Sequence, residues 1–216
     1  MNRPYVVINC AMSADGKIAS PSGKQMRISC DKDIRRMYEL RNESDAVLVG
    51  INTVLTDDPK LTVKNKYVKN PKQPIRVVLD TKCRTPADAL VADSTAKTLI
   101  ITGEKEFSKK YGNTVEVIWC DTNDKGNIDI KKLLDHLYKK GVKKLMVEGG
   151  GTVIGNFLKS GFVDDFFVYV GPIVIGGTNT PTLAGNMKVD DENIKLKLVE
   201  TKPIGQGVLL HYKLIK

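Results

Sequence analysis

The chain has 216 residues, 41 % of them hydrophobic and 27 % charged, a balance that sustains a packed core and excludes a disordered polymer. No apolar run reaches the roughly 18 residues a membrane helix requires, so no membrane partner is expected. The net charge of +9, from 34 basic and 25 acidic side chains, favours an anionic partner: a nucleic acid, an acidic surface or a small phosphorylated ligand.

The first apolar run, Tyr5–Cys10, follows Arg3 but contains Asn9 and leads into Ser13-Ala14-Asp15-Gly16-Lys17 without a small-residue cleavage site. It reads as a buried strand rather than a signal peptide, which places the protein in the cytoplasm. Asp31–Asn42 follows as a helix with Ile34, Met37, Tyr38 and Arg41 on one face. Ser29 can cap its start, and Asp31 and Asp33 suit its first turn. Arg41 ends that stripe and so points inward, where a guanidinium needs an anionic partner.

Ala46–Val49, Ile75–Leu79, Thr98–Ile101, Val115–Trp119 and Leu145–Val147 are short, β-branched and nearly continuous. Strands buried on both faces have this pattern, which predicts a largely parallel sheet covered by helices. Asp57–Pro74 is polar, basic and long for a plain connection, as a ligand loop would be. Ile128–Lys140 carries a stripe of Ile130, Leu133, Leu134, Leu137 and Tyr138 and stops at Gly141. Thr152–Ser160 buries Val153, Ile154, Phe157 and Leu158 and stops at Gly161. Strand Phe166–Val170 is followed by a Gly/Pro-rich loop over Gly171–Gly185. Lys195–Glu200 and Val208–Leu214, around Gly205-Gln206-Gly207, predict an antiparallel hairpin at one sheet edge. The alternation is that of a single α/β domain over residues 1–216. Cys10, Cys30, Cys83 and Cys120 stand singly, far from His136 and His211, so neither a zinc site nor a disulfide framework is expected.

Three turns carry candidate chemistry. Glu148-Gly149-Gly150-Gly151-Thr152 lies at a strand end and a helix start. Without side chains, backbone N–H groups there can approach an anion, and the helix terminus adds its positive end. The spacing is neither the Rossmann fingerprint nor a P-loop, and a plain tight turn is the competing account. Gly50-Ile51-Asn52-Thr53 repeats the strand, glycine, helix order, with Thr53 able to meet a pyrophosphate and Asp57 four residues on. Two such turns in one parallel sheet share its carboxyl edge, where ligands of open α/β folds bind. Leu79-Asp80-Thr81-Lys82-Cys83-Arg84 follows a strand directly, and Lys82 and Arg84 suit the 2′-phosphate that separates NADP from NAD. Ile128 is the first apolar residue after a polar loop and can cover an adenine or pack into its own helix. Asp33, Arg41, Lys64 and Glu148 complete a charged set, Glu148 suiting a sugar hydroxyl or an exocyclic amine.

Several motifs in order carry a resemblance: Ser13-Ala14-Asp15-Gly16-Lys17-Ile18-Ala19, Ser44–Gly50, Thr53–Val63, Arg76–Asp80, Glu148–Gly151 and Gly176-Gly177. Together, from about Tyr5 to the end of the chain, they resemble the riboflavin-pathway reductases, both the stand-alone archaeal and fungal enzymes and the reductase half of the bacterial bifunctional deaminase-reductase. The resemblance implies a dihydrofolate-reductase-like α/β fold, a mostly parallel sheet with flanking helices and a C-terminal antiparallel hairpin, with NADPH (NADH less favoured) and a homodimer. It implies reduction of a ribosylamino pyrimidine phosphate at C1′ after ring opening to an imine. By matching position, Thr53, Asp57, Leu79, Asp80, Thr81, Lys82, Ile128, Gly149, Gly150, Gly151 and Thr152 would hold the cofactor. Asn9, Ser29, Asp33, Arg41, Lys64 and Glu148 would line the substrate site. No residue is marked as the proton donor.

Two departures bear on the substrate. The bacterial form has lysine where Asn9 stands, and Asn9 offers both a donor and an acceptor. It has arginine where Lys64 stands, and lysine meets a phosphate only as a point charge. No deaminase signature is present, so the still-aminated pyrimidine is the expected substrate. The deaminated pyrimidine or a dihydrofolate-like substrate is the alternative. A basic nucleic-acid-binding module, the reading from another class, is disfavoured by 6 % aromatic content and by glycines at strand ends rather than on a stacking face.

Overall fold

The β-branched runs form strands where the pattern places them, and the polar segments between them turn. The computed structural model describes residues 2–185 and 193–215. Its elements are β1 (Tyr5–Ser13), α1 (Asp31–Glu43), β2 (Ala46–Gly50), α2 (Ile51–Asp57), β3 (Ile75–Leu79), β4 (Thr98–Thr102), β5 (Val115–Trp119), α3 (Ile130–Lys139), β6 (Lys144–Gly149), α4 (Gly151–Ser160), β7 (Asp165–Gly171), β8 (Leu196–Ile204) and β9 (Gly207–Leu214), with a 3-10 turn at Leu90–Ala92. Internal contacts group into two compact units: Met1–Tyr5 with Tyr38–Met146, and Val6–Met37 with Val147–Lys216. Among the described residues no helix is long and apolar enough to cross a membrane.

The first unit holds the parallel ladder β5-β4-β3-β2. All residues of β2 and β4 are buried, as the unalternating sequence predicts. The sequence places the start of the third helix at Ile128, two residues early. Asp129 takes the cap, accepting from the Lys132 N–H at 3.1 Å, while Ile128 is held in a β-bridge with Thr122. The helix buries Ile130, Leu133, Leu134 and Leu137, each contributing about 1.5–3 kcal/mol by leaving water.

A charge lies inside this unit. Arg76, the second residue of β3, has no solvent exposure. Its Nε donates to Thr98 Oγ1 at 2.8 Å, Nη1 to Asp93 Oδ1 at 2.7 Å and the Leu90 carbonyl at 3.2 Å, and Nη2 to the Asp93 and Ala96 carbonyls, each at 2.6 Å. All five donors are used, which is the condition for tolerating a buried guanidinium.

The second unit pairs β1 parallel to β7, and β9 antiparallel to both β7 and β8. The predicted hairpin is present, its strands running to Ile204 and from Gly207 around a two-residue turn. Tyr169, Ile204 and Leu209 form its buried cluster, with Ala11, Cys30 and Phe167 packed against it. Every residue of β8 except Ile204 is exposed, among them Leu196, Leu198 and Val199. Cys83 and Cys120 are buried, Cys10 and Cys30 half-buried, and all four thiols are free.

Candidate active site

The first unit assembles a cationic cluster on an aromatic ring. The loop after α2 is closed by reciprocal bonds between Gln73 and Val63: Val63 N–H donates to Gln73 Oε1 at 2.8 Å, and Gln73 Nε2 donates to the Val63 carbonyl at 2.9 Å. Leu61, buried, takes a left-handed φ of 51° within it. This path brings Lys64 Nζ to 5.8 Å from the centre of the Tyr38 ring, with Arg41 Cζ at 5.3 Å. Tyr67 stacks on Tyr38 at 4.5 Å. Each cation gains from its own contact with the ring, and together they make this platform positive. Arg41 is half-buried, and its Nη1 donates to the Thr62 carbonyl at 2.9 Å. The sequence named Arg41 and Lys64 but took Tyr38 only for core.

In the same unit the turns after β2 and β3 meet. Arg84 Nη2 donates to Asn52 Oδ1 at 3.0 Å, beside Thr53 in the first turn of α2. Lys82 and Arg84 are exposed. Asp80 is fully buried and works inward: its Oδ2 accepts from the Thr85 N–H at 2.6 Å and hydroxyl at 2.7 Å. That bond pair shapes the turn presenting Lys82 and Arg84, with Cys83 at a φ of 50°. Asp80 Oδ1 has no hydrogen-bond partner among the described residues. Thr81 is tied down through its carbonyl, which accepts from Gly103 N–H at 3.0 Å and Thr102 Oγ1 at 3.2 Å. Leu79 ends β3 half-buried, as Thr53 and Asp57 are within α2. Ile128 is only 4 % exposed. An open depression of about 610 Å³ bordered by Lys97, Thr114 and Glu116 lies at the amino ends of β4 and β5. Open α/β sheets bind ligands at the other end of their strands.

In the second unit, Asn9 lies buried in β1. Arg36 Nη2 donates to Asn9 Oδ1 at 2.6 Å, and Arg36 Nε to Asp33 Oδ1 at 2.9 Å. Ser29 Oγ donates to Asp33 Oδ2 at 2.6 Å. The predicted cap is therefore corrected: Ser29 serves the Asp33 carboxylate, and the Cys30 carbonyl accepts the first helical bond, from Ile34 N–H. Asn9, Ser29 and Asp33, all named from sequence, are thus one network. Its organiser, Arg36, was missed, although an Asp–Arg spacing of three on a helix is a pairing signal.

The glycine turn is also explained in part by the protein itself. Gly149 has a φ of +127°, open to glycine and little else. A Cβ on Gly151 would collide with the Thr182 carbonyl and come within 3.3 Å of Gly185 N. Gly150 caps α4 with no side-chain bond, and Thr152 is exposed in its first turn. Backbone demand thus accounts for two of the three glycines, Gly149 and Gly151. Glu148, in β6, is half-buried. In the same unit, Asp15 joins two motifs. It accepts from the Ser13 hydroxyl at 2.6 Å and from the N–H groups of Ile175 at 3.1 Å and Gly176 at 2.7 Å. Those bonds, the Ser13 hydroxyl first, lower its pKa to about 2. This restraint is fully present above the ordinary carboxylate range and is lost as pH falls through about 2.

Comparison with known proteins places these features in context. Residues 4–210 match the profile of the RibD C-terminal domain. The chain is 40 % identical over 214 residues to the 2,5-diamino-6-ribosylamino-4(3H)-pyrimidinone 5′-phosphate reductase of Archaeoglobus fulgidus, covering 95 % of each. It superposes with a TM-score of 0.83 and 28 % identity on the diaminohydroxyphosphoribosylaminopyrimidine deaminase/5-amino-6-(5-phosphoribosylamino)uracil reductase of Thermotoga maritima, covering 99 % of this chain and 57 % of that one. A dihydrofolate reductase from Enterococcus faecalis aligns over 98 % of this chain and 97 % of its own with a TM-score of 0.51 at 11 % identity, a likeness of fold alone.

Proposed function

The chain belongs to the RibD C-terminal domain family, and from that premise we propose that it reduces 2,5-diamino-6-ribosylamino-4(3H)-pyrimidinone 5′-phosphate to its ribitylamino form with NADPH. The observation that carries this reading is the near-full-length similarity to a stand-alone reductase of that name. NADPH, when bound, supplies the hydride that C1′ of the ring-opened imine accepts.

The residues present suit both ligands. In the first unit, Thr53 and Asp57 on α2 and the exposed Lys82 and Arg84 would hold the cofactor, the two cations at its 2′-phosphate. In the second, Gly150 and the first amides of α4 offer N–H groups to a pyrophosphate. Within the first unit Arg41 and Lys64 suit a phosphate, and within the second Asn9 and Glu148 suit a pyrimidine. Holding two ligands in line can contribute roughly 7–11 kcal/mol to the barrier, so positioning is assigned most of the catalysis.

The test is NADPH oxidation, followed by its absorbance, with the diamino compound beside its deaminated counterpart. Turnover of the first with little of the second is the expected result. NADPH binding without turnover of either would overturn the substrate assignment and leave the cofactor. The double variant Lys82→Ala/Arg84→Ala is expected to narrow the NADPH-over-NADH preference by about 10- to 100-fold, the worth of one or two charge-assisted bonds. An unchanged ratio of the two kcat/KM values removes the pair from the 2′-phosphate. The exposed apolar residues of β8 suit a homodimer, which light scattering would detect as twice the chain mass. The free thiols suit a reducing cytoplasm.

A further inference from the structure

We infer that Arg36 is a positioning residue that fixes the Asn9 carboxamide with its NH2 group toward the substrate, so that this position reads an acceptor on the pyrimidine. The inference rests on the reading above that Asn9 lines the pyrimidine site.

An asparagine amide carries an acceptor and two donors, and its two ends are nearly isosteric, so an unrestrained Asn9 can read either kind of edge. Arg36 removes the ambiguity. A guanidinium only donates, so the amide atom 2.6 Å from its Nη2 has to be Oδ1. The guanidinium cannot swing away, because its Nε bonds Asp33 Oδ1 at 2.9 Å and its Nη2 lies 2.7 Å from the same oxygen. Asp33, 3 % exposed, is held in turn by the Ser29 hydroxyl on its other oxygen. Phe167, which pairs with Asn9 across β1 and β7, lies 5.9 Å beneath the guanidinium. Three groups on two chain segments therefore orient one cation, and that cation orients one amide. Among the described residues Asn9 Nδ2 makes no hydrogen bond of its own.

The consequence is chemical. With Oδ1 turned onto the guanidinium, the end of the Asn9 amide left without a partner among the described residues is the NH2 group. It donates, and on a 2,5-diamino-4-pyrimidinone the acceptors are the 4-oxo group and the unprotonated ring nitrogen. A donor facing a donor is repulsive, so a pyrimidine turned to present its amine at this point is rejected. Of the donor and the acceptor that the sequence offers at Asn9, this leaves the donor for the base.

The experiment is a double-mutant cycle on the intact protein with the diamino substrate, reading KM and kcat separately and NADPH Kd as the control for folding. Arg36→Met keeps the stem and removes every donor. It is expected to raise KM about 10-fold with kcat within about 3-fold and NADPH affinity unchanged, since one oriented hydrogen bond is lost from binding. Asn9→Ala is expected to raise KM at least as much. The double variant should match Asn9→Ala, because Arg36 acts through Asn9. Arg36→Lys, which keeps one donor within reach, should restore part of the loss. If Asn9→Ala raises KM and the two effects simply multiply, or if Arg36→Met lowers NADPH affinity to the same degree, Arg36 is structural and the inference fails alone. An unchanged KM in Asn9→Ala overturns the placing of Asn9 at the pyrimidine as well.

Discussion

Replacing Arg76 with alanine is expected to cost about 3–5 kcal/mol of stability at neutral pH, a large share of the 5–15 kcal/mol typical of a folded domain. The guanidinium is wholly buried and saturates the Leu90, Asp93 and Ala96 carbonyls, the Thr98 hydroxyl and the Asp93 carboxylate. Its removal leaves carbonyls in the interior with no donor, at roughly 1–3 kcal/mol for each group that water cannot reach, together with a cavity. Arg76→Lys is expected to recover little, because one ammonium cannot serve acceptors arrayed around a planar fork. The acid side of the network gives a pH signature. Burial alone would raise the Asp93 carboxyl, but the Arg76 and Thr95 hydrogen bonds outweigh it and hold its pKa below the ordinary value. A depressed carboxylate stabilises the fold above the unfolded pKa, and the contribution fades as pH falls through the folded one. Urea unfolding of wild type and variant should therefore differ most near neutral pH, the difference narrowing in acid by the Asp93 share. Arg76 is the second residue of β3, at the end opposite the Lys82 turn. Activity per folded molecule should stay near wild type, and a loss matching that of the Arg41 variants would contradict this.

The strands were legible because burial on both faces leaves an unmistakable pattern: continuous Val, Ile and Leu in β2, β3 and β4. Hairpin and helices followed from spacing and from glycine. What escaped was whatever depends on partners distant in sequence. Asn9 and Arg36 are 27 residues apart, and nothing local to either predicts that the second fixes the amide of the first. Ser29 has the residue type and place of a cap, yet a carboxylate one helical turn on offers its hydroxyl a stronger, charge-assisted bond. Asp80 was legible as a charge after a strand but not as one turned inward onto Thr85, because strand ends present side chains to either side. The glycine triplet was read as a cradle, whereas Gly151 owes its identity also to Thr182, 31 residues later. Charges that align along one helix face, such as Arg41, are visible in one dimension. Their platform, Tyr38 capped by Tyr67, requires the fold of the intervening loop.

Arg41→Ala is expected to raise KM for the phosphorylated pyrimidine by about 10- to 150-fold, the equivalent of 1.5–3 kcal/mol for a hydrogen bond to a charged group. The cofactor Kd should be unaffected. A phosphate remote from C1′ is bound much alike in ground and transition states, so KM should carry more of the loss than kcat. Arg41 is half-buried and braced by the Thr62 carbonyl and the Tyr38 ring, which leaves its fork little freedom to lose on binding. Lys64 is exposed on the same ring, and Lys64→Ala should cost less, because a hydrated point charge gives up more of its solvation for each bond it makes. The decisive comparison uses the dephosphorylated substrate. Wild type should lose on removal of the phosphate at least what Arg41→Ala loses with it present, and the variant should distinguish the two compounds only by the smaller Lys64 share. If Arg41→Ala impairs the dephosphorylated substrate to the same extent, the guanidinium is holding the loop at Thr62 rather than the phosphate. The cluster on Tyr38 would then be scaffold, and the substrate phosphate would have to be held elsewhere.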